Sequence, residues 1–227
     1  MKVTALIPIK TNSTRLKNKN FLDFCGQPLY QVVLDTLQSI DEIDRILINT
    51  DSEIIATDCA LRYPKAVIIH RPEHLKADSI TMNTLIAHDI TTTENEHFLQ
   101  THCTNPLLSK QTIVNAIKTY FNNLTEYDSL FSIETIRKRG YFSDGKPVNH
   151  SNELLLQTQD LDPVCIENSN IFLFSRSSFI DSGNSRIGKK PFLFQMSTLE
   201  GIDIDLEEDF VLAALIHRNK SLFDFAR

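Results

Sequence analysis

The run Ile202-Asp203-Ile204-Asp205-Leu206 sets two carboxylates two residues apart among apolar neighbours. In extended backbone, side chains repeat every two residues, so Asp203 and Asp205 face the same way. Two carboxylates on one face make a hard oxygen site suited to Mg²⁺. A plainer reading competes for one of them. Asp205 can N-cap the helix that follows, with Glu208 three residues on completing a capping box. Asp209 then favours the positive end of that helix. Asp203 has no capping role to explain it.

A second group of chemistry-bearing residues runs from Lys10 to Asn20. It holds the cations Lys10, Arg15, Lys17 and Lys19, with Asn12, Ser13 and Asn20 as hydrogen-bonding partners. Fixed charges and many donors suit a triphosphate. The spacing is neither a Walker A loop nor a GxGxxG turn, and a solvated basic loop is the alternative. A third group is His70-Arg71-Pro72, where Arg71 suits a base or a phosphate, or else a surface turn. In the fourth, Thr101 to Leu107, His102 adjoins Cys103. Phe98 to Cys103 reads as a strand, in which neighbours face opposite sides. That argues against a Cys–His nucleophile pair.

The elements that must position these groups alternate. Val3 to Ile9 is an apolar run of the kind that forms a buried parallel strand. Pro28 opens a helical pattern with Leu29, Val32, Val33 and Leu37 on one face. Strands follow at Arg45 to Asn49, Ala66 to Ile69, Phe98 to Cys103 and Ser129 to Ile133. Between them lie helices capped by Ser52 and Ser109, and a helical pattern from Ile80 to Ile90. After a further strand at Ile171 to Phe174 and another near Phe192 to Gln195, a last helix runs from Leu206 to about Ile216. The alternation predicts an α/β fold with a mainly parallel sheet and helices on both faces, in one domain over residues 1–227. Each loaded loop then falls at a strand's carboxyl end, where open α/β sheets bind ligands. From Glu134 to Glu167 the pattern fails, and so long an unpatterned stretch reads as a lid or an inserted arm.

Composition narrows the function classes. The 227 residues carry a net charge of −6, with no basic block for nucleic acid or a membrane surface. Cys25, Cys59, Cys103 and Cys165 form no CxxC pair and no zinc spacing, as expected of reduced cytosolic thiols. No apolar run nears the roughly 18 residues of a membrane span, and Met1 to Lys10 does not read as a signal peptide. A cytoplasmic location is expected.

In order, the four groups resemble the acylneuraminate cytidylyltransferases. That family's first loop, A-R-x-x-S-K-x-[IL]-x-x-K-N, is similar to Ile9 to Asn20, keeping Ser13, Leu16, Lys19 and Asn20. The chain departs at Lys10, which keeps the charge but not the bidentate fork of arginine, and at Thr14, whose missing charge Arg15 can supply. S-T-D matches Thr50-Asp51, and R-P-x-x-L-A-x-D resembles Arg71 to Asp78. L-Q-P-T-S-P-L resembles Thr101 to Leu107, with His102 standing for the Gln near the sugar. N-G-A-I-Y resembles Asn168-Ser169-Asn170-Ile171-Phe172, and D-I-D is intact at Asp203 to Asp205.

The resemblance implies a nucleotide-diphospho-sugar transferase-like fold and CMP transfer from CTP to a sialic-acid-like 2-keto sugar acid, with release of pyrophosphate. It implies Lys10, Asn12, Ser13, Arg15, Lys19, Asn20 and Arg71 at the nucleotide. It implies His102, Asn168 and Phe172 at the sugar, Mg²⁺ on Asp203 and Asp205, and catalysis by these two with Lys19. It also implies a homodimer joined through the arm at 134–167. The family's arginine for the sugar carboxylate has no counterpart near Thr158; Arg137, Lys138 and Arg139 are expected to replace it, with Arg186 as the competing source. The same reaction on 3-deoxy-manno-octulosonic acid and an inactive nucleotide-binding relative stay open. A glycosyltransferase DxD motif is disfavoured because Asp203-Ile204-Asp205 lies so near the end of the chain.

Overall fold

Val3–Ile9 (β1) is buried along its length except for a partly exposed Pro8, and it pairs in parallel on both sides. The computed structural model describes residues 1–13 and 15–222. A short ribbon, Asp23–Phe24 (β2) and Gln27–Pro28 (β3), leads into Leu29–Gln38 (α1). Then come Ile43–Thr50 (β4), Glu53–Arg62 (α2), Ala66–His70 (β5), Met82–Asp89 (α3) and His97–Gln100 (β6). Lys110–Asn123 (α4), Ser129–Ile136 (β7), Val164–Ser175 (β8), Arg176–Asp181 (α5), Pro191–Gln195 (β9) and Glu207–Arg218 (α6) complete the order.

Seven strands form one sheet in the order β5-β4-β1-β6-β8-β7-β9. β8 runs antiparallel to both of its neighbours, and the other pairings are parallel. The alternation within β1 divides the core. Ala5, Ile7 and Ile9 pack with Val33 and Leu37 of α1, Ile55 of α2 and Ile113 and Ile117 of α4. Leu6 packs on the other face with Ile86 of α3 and Phe179 of α5. Each of the Val, Leu, Ile and Phe side chains contributes roughly 1.5–3 kcal/mol when fully buried. The α/β class with helices on both faces is therefore as expected. The local stops hold too: Ser52 Oγ accepts from Ile55 N at 3.3 Å, and Ser109 Oγ accepts from Thr112 N at 3.2 Å.

Several boundaries differ from expectation. The strand expected through Cys103 stops at Gln100, because the chain turns there: Asn105 N donates to His102 O at 3.3 Å and Leu108 N to Asn105 O at 3.2 Å. His102 and Cys103 are thus in a loop, and the opposite-face argument does not apply to them. Ile202 to Ile204 lies outside the sheet, tied to the turn by Ile204 N donating to Thr104 O at 2.9 Å. A period of two survives all the same, with Ile204 buried between half-buried Asp203 and Asp205. Asp205 does not cap α6. The Asp209 carboxylate does so, Oδ2 accepting from Leu206 N at 2.8 Å and from Asp205 N at 3.0 Å. An Asp at the third helical position reaches back over the first turn, so neither Asp205 nor Glu208 is needed there.

The β7–β8 ladder continues to Ile136↔Val164, which narrows the irregular segment from the expected 134–167 to 137–163. Gly145, at φ 84°, closes a tight turn in which Phe142 N donates to Lys146 O at 2.8 Å. Tyr141, Phe142, Leu154 and Leu155 on this arm are 55%, 60%, 60% and 83% exposed, so the arm buries little of its own apolar surface.

Candidate active site

The loop after β1 is held by its neighbours. Asp51, following β4, accepts from Thr11 N at 2.7 Å and Thr11 Oγ1 at 2.8 Å through one oxygen. Buried Asn20 donates to Lys10 O at 2.7 Å and accepts from Cys103 Sγ at 3.2 Å. These bonds hold the two ends of the loop together and turn its cations toward a cleft. Two hollows, of ≈ 250 and ≈ 440 Å³, share Pro8, Lys10, Arg15, Lys19 and Asp78. The first is also lined by Asn12, Ser13 and His102, the second by Arg71 and Leu75. Asn20 lines the cleft too, but its amide is committed to Lys10 O and Cys103 Sγ, so it positions Lys10. Thr14 lies outside the described residues.

The carboxylate pair meets these cations. Lys19 Nζ donates to Ile204 O at 2.6 Å and to Asp205 Oδ1 at 3.1 Å, and Arg15 Nη1 lies 2.5 Å from Asp205 Oδ2. Lys10 pairs with Asp78 on the cleft rim. Asp203 is different. Its Oδ1 is shut away from solvent with no donor partner. Burial raises its pKa above the usual carboxylate range, the Asp205 charge adds to this, and the Thr104 hydroxyl and Lys19 oppose it. A buried acceptor without a donor is a costly arrangement that a cation would relieve. Among the described residues no three His, Cys, Asp or Glu side chains gather to hold a metal. Two carboxylates with the remaining positions left to water and phosphate oxygens is the usual protein share of a Mg²⁺ site, so the residues fit that ion.

Arg71 is no surface turn residue. It is 7% exposed, with Nε donating to Asn49 Oδ1 at 2.7 Å and Nη2 to Asn49 O at 2.9 Å. Asn49 Nδ2 in turn donates to buried Asp89. Nη1 takes part in neither Arg71 bond, and the residue walls the larger hollow. Cys103 is buried and its thiol is pushed up to about 12 by burial, so burial argues against a nucleophile where strand geometry no longer can.

Beyond His102 the site continues along β6 onto β8. His102 Nε2 lies 3.1 Å from Gln100 Nε2, and burial with the nearby Arg186 and Lys19 charges drives its pKa down to about 4. Gln100 Oε1 accepts from Arg186 Nη1, and the Arg186 guanidinium stacks 3.6 Å over the Phe172 ring. Phe172 is therefore fully buried beneath an arginine rather than facing the cleft. Asn168 accepts from Ser132 Oγ at 2.6 Å, while its Nδ2 is buried without an acceptor. Ser169, at the position of the resembled motif's Gly, has φ 57°, the left-handed conformation that favours glycine. Gln100 is not singled out by the sequence, where the strand is expected to run on to Cys103; its polar side chain directly after Phe98 and Leu99 is the one signal. The arm's arginines turn elsewhere: Arg137 donates to Leu161 O at 2.9 Å and Arg139 to Leu156 O.

An open α/β sheet with cations, carboxylates and a buried arginine gathered at strand ends belongs to a class of domain that binds nucleotides. The cytidylyltransferase family model matches residues 4–197, and this chain belongs to that family. The Asp pair lies just beyond the matched span. The chain is 30% identical to the CMP-N,N'-diacetyllegionaminic acid synthase of Legionella pneumophila, covering 93% of this chain and 94% of that protein. It is 24% identical to an N-acylneuraminate cytidylyltransferase of Streptococcus agalactiae over 93% of its own length, and it spans only 52% of that relative. In fold it is similar to a CMP:2-keto-3-deoxy-manno-octonic acid synthetase complexed with CTP, at TM-score 0.69 and 12% identity, covering 97% of this chain and 100% of that one. Among the described residues no helix is long and apolar enough to cross a membrane.

Proposed function

We propose that this chain transfers CMP from CTP to the anomeric hydroxyl of a sialic-acid-like 2-keto sugar acid, releasing pyrophosphate. The observation that carries this reading is Lys19, which bonds the carboxylate segment through Ile204 O and Asp205 while lining the same cleft as Lys10 and Arg15. That arrangement brings triphosphate cations and metal-type carboxylates to one point. The new bond joins the anomeric oxygen to the α-phosphorus, the bond from the α-phosphorus to the bridging oxygen breaks with its electron pair leaving on pyrophosphate, and the hydroxyl proton passes to solvent. Catalysis is positioning and charge neutralisation.

Lys10, Arg15 and Lys19 would bind the phosphates and stabilise the leaving pyrophosphate. A triphosphate offers Arg15 and Lys19 a stronger partner than Asp205, which frees that carboxylate. Asp203 and Asp205 would hold Mg²⁺, which when bound supplies positive charge at the α-phosphate. Arg71, pinned by Asn49, would read the nucleotide. The exposed apolar residues of the arm support a homodimer that covers them, and the four unpaired thiols suit a cytoplasmic setting.

Pyrophosphate release tests the reading, with CTP and a panel of sialic, legionaminic, pseudaminic and 3-deoxy-manno-octulosonic acids. Mg²⁺-dependent release with a nine-carbon acid is expected. No release with any member would reject the activity, and preference for the eight-carbon acid would move the substrate class.

A further inference from the structure

We infer that Arg186, stacked on Phe172 and held by Gln100, is the anchor for the carboxylate of the sugar acid, within the same subunit as the Asp pair. The inference rests on the transfer reaction proposed above. In a 2-keto sugar acid the carboxylate is bonded to the very carbon whose hydroxyl attacks. Its counter-ion must therefore lie beside the reacting centre and on the side away from the triphosphate. Arg186 has that placement. His102 lines the nucleotide cleft, Gln100 touches His102 at 3.1 Å, and Gln100 bonds Arg186. In the sheet, β1 carries the phosphate loop, β6 comes next, and Phe172 on β8 is the partner of Gln100 at the end of β6. The site therefore runs from phosphate loop to sugar along consecutive strands.

Arg186 is also short of partners. Its side chain is 15% exposed, and Glu167 Oε1, the carboxylate nearest to it, stands 3.9 Å from Nη2. Glu167 is itself 36% exposed, and that same Oε1 accepts from Ser169 Oγ at 3.3 Å, so it is shared between the two groups. Burial pulls the Arg186 pKa down to about 10, against the Glu167 charge. A mostly buried guanidinium, with its plane fixed by a ring and one edge by an amide, presents a preformed fork for a planar anion. The arm's basic cluster is a poorer source, since Arg137 and Arg139 are bonded to arm carbonyls.

The test compares the best acceptor of the panel with its methyl ester, which keeps the sugar and removes the charge. Wild type is expected to prefer the acid in kcat/KM by about 10- to 100-fold, the range for a hydrogen bond to a charged group. Arg186→Gln should bring that ratio close to one, Arg186→Lys should leave part of it, and the triple variant Arg137→Gln, Lys138→Gln, Arg139→Gln should keep it. CTP binding by calorimetry should match wild type in every variant, which separates a lost anchor from a lost fold. A purely structural Arg186 would lower both rates and leave the ratio unchanged, overturning the inference. An arm-supplied anchor would show as loss of the ratio in the triple variant alone. If wild type itself turned over no sugar acid, the reaction and the anchor would both fall; a wild type that turns over with the ratio intact in Arg186→Gln rejects the anchor alone.

Discussion

Asp203→Asn removes one charge at almost constant volume. Asp203 Oδ1 is sealed from water and has no donor, so its charge acts in a poorly screened setting. At about 4 Å and an effective dielectric near 20, a unit charge contributes about 4 kcal/mol to a cation beside it. Losing one preorganised electrostatic group commonly lowers turnover by about 10²–10³-fold, or about 2.7–4 kcal/mol. The two estimates agree, so a drop of at least ~100-fold is expected. Stability should move the other way. The folded pKa of Asp203 is raised, so its favourable contribution is complete below the unfolded value and is lost as pH rises through the folded value. At neutral pH the ionised carboxylate therefore costs stability, and the amide should melt at the same temperature or higher. Turnover is measured by pyrophosphate release over a Mg²⁺ titration, and melting by calorimetry. Near-normal turnover at limiting Mg²⁺ would refute the reasoning; so would a large fall in melting temperature, by making Asp203 a structural residue.

Arg71→Ala should weaken CTP binding by about 10²-fold in calorimetry, since a hydrogen-bonded charged contact is lost, and unchanged affinity would return Arg71 to a purely internal role. CTP should also bind well ahead of UTP, because a site matched to the cytosine amine leaves buried groups unpaired against uracil; equal affinities would contradict this. Light scattering should find a dimer at micromolar concentration, and Leu154→Ser with Leu155→Ser should shift it to monomer; a fully active wild-type monomer would end the arm-docking claim. Exposed Cys165 should be alkylated first in the native protein while Cys103 stays unmodified at pH 8, read by mass spectrometry, and Cys103→Ala should stay within a few-fold of wild-type turnover. A large loss with the fold retained would restore Cys103 to the chemistry.

Local chemistry was legible in the order of residues. The apolar run of β1, Pro28 opening α1 and the Ser52 and Ser109 caps depend on neighbours a few positions away, and they declare the βα alternation without tertiary help. Because strand ends bind ligands in such folds, the loop Lys10 to Asn20 and Arg71 could be listed from the sequence alone, and the Asp pair could be listed from its spacing. What they touch could not. Lys19 finds Asp205 across 186 positions, and Arg186 finds Gln100 across 86. Such meetings are set by strand order, and nothing in one stretch of sequence states that β8 enters antiparallel between β6 and β7. The burial of Arg71, the capping of α6 by Asp209 in place of Asp205, and the early end of β6 were likewise decided by packing and by competition among hydrogen-bond partners. A side chain's type fixes the chemistry open to it, while the partners and dielectric that select among those options exist only once the sheet has assembled.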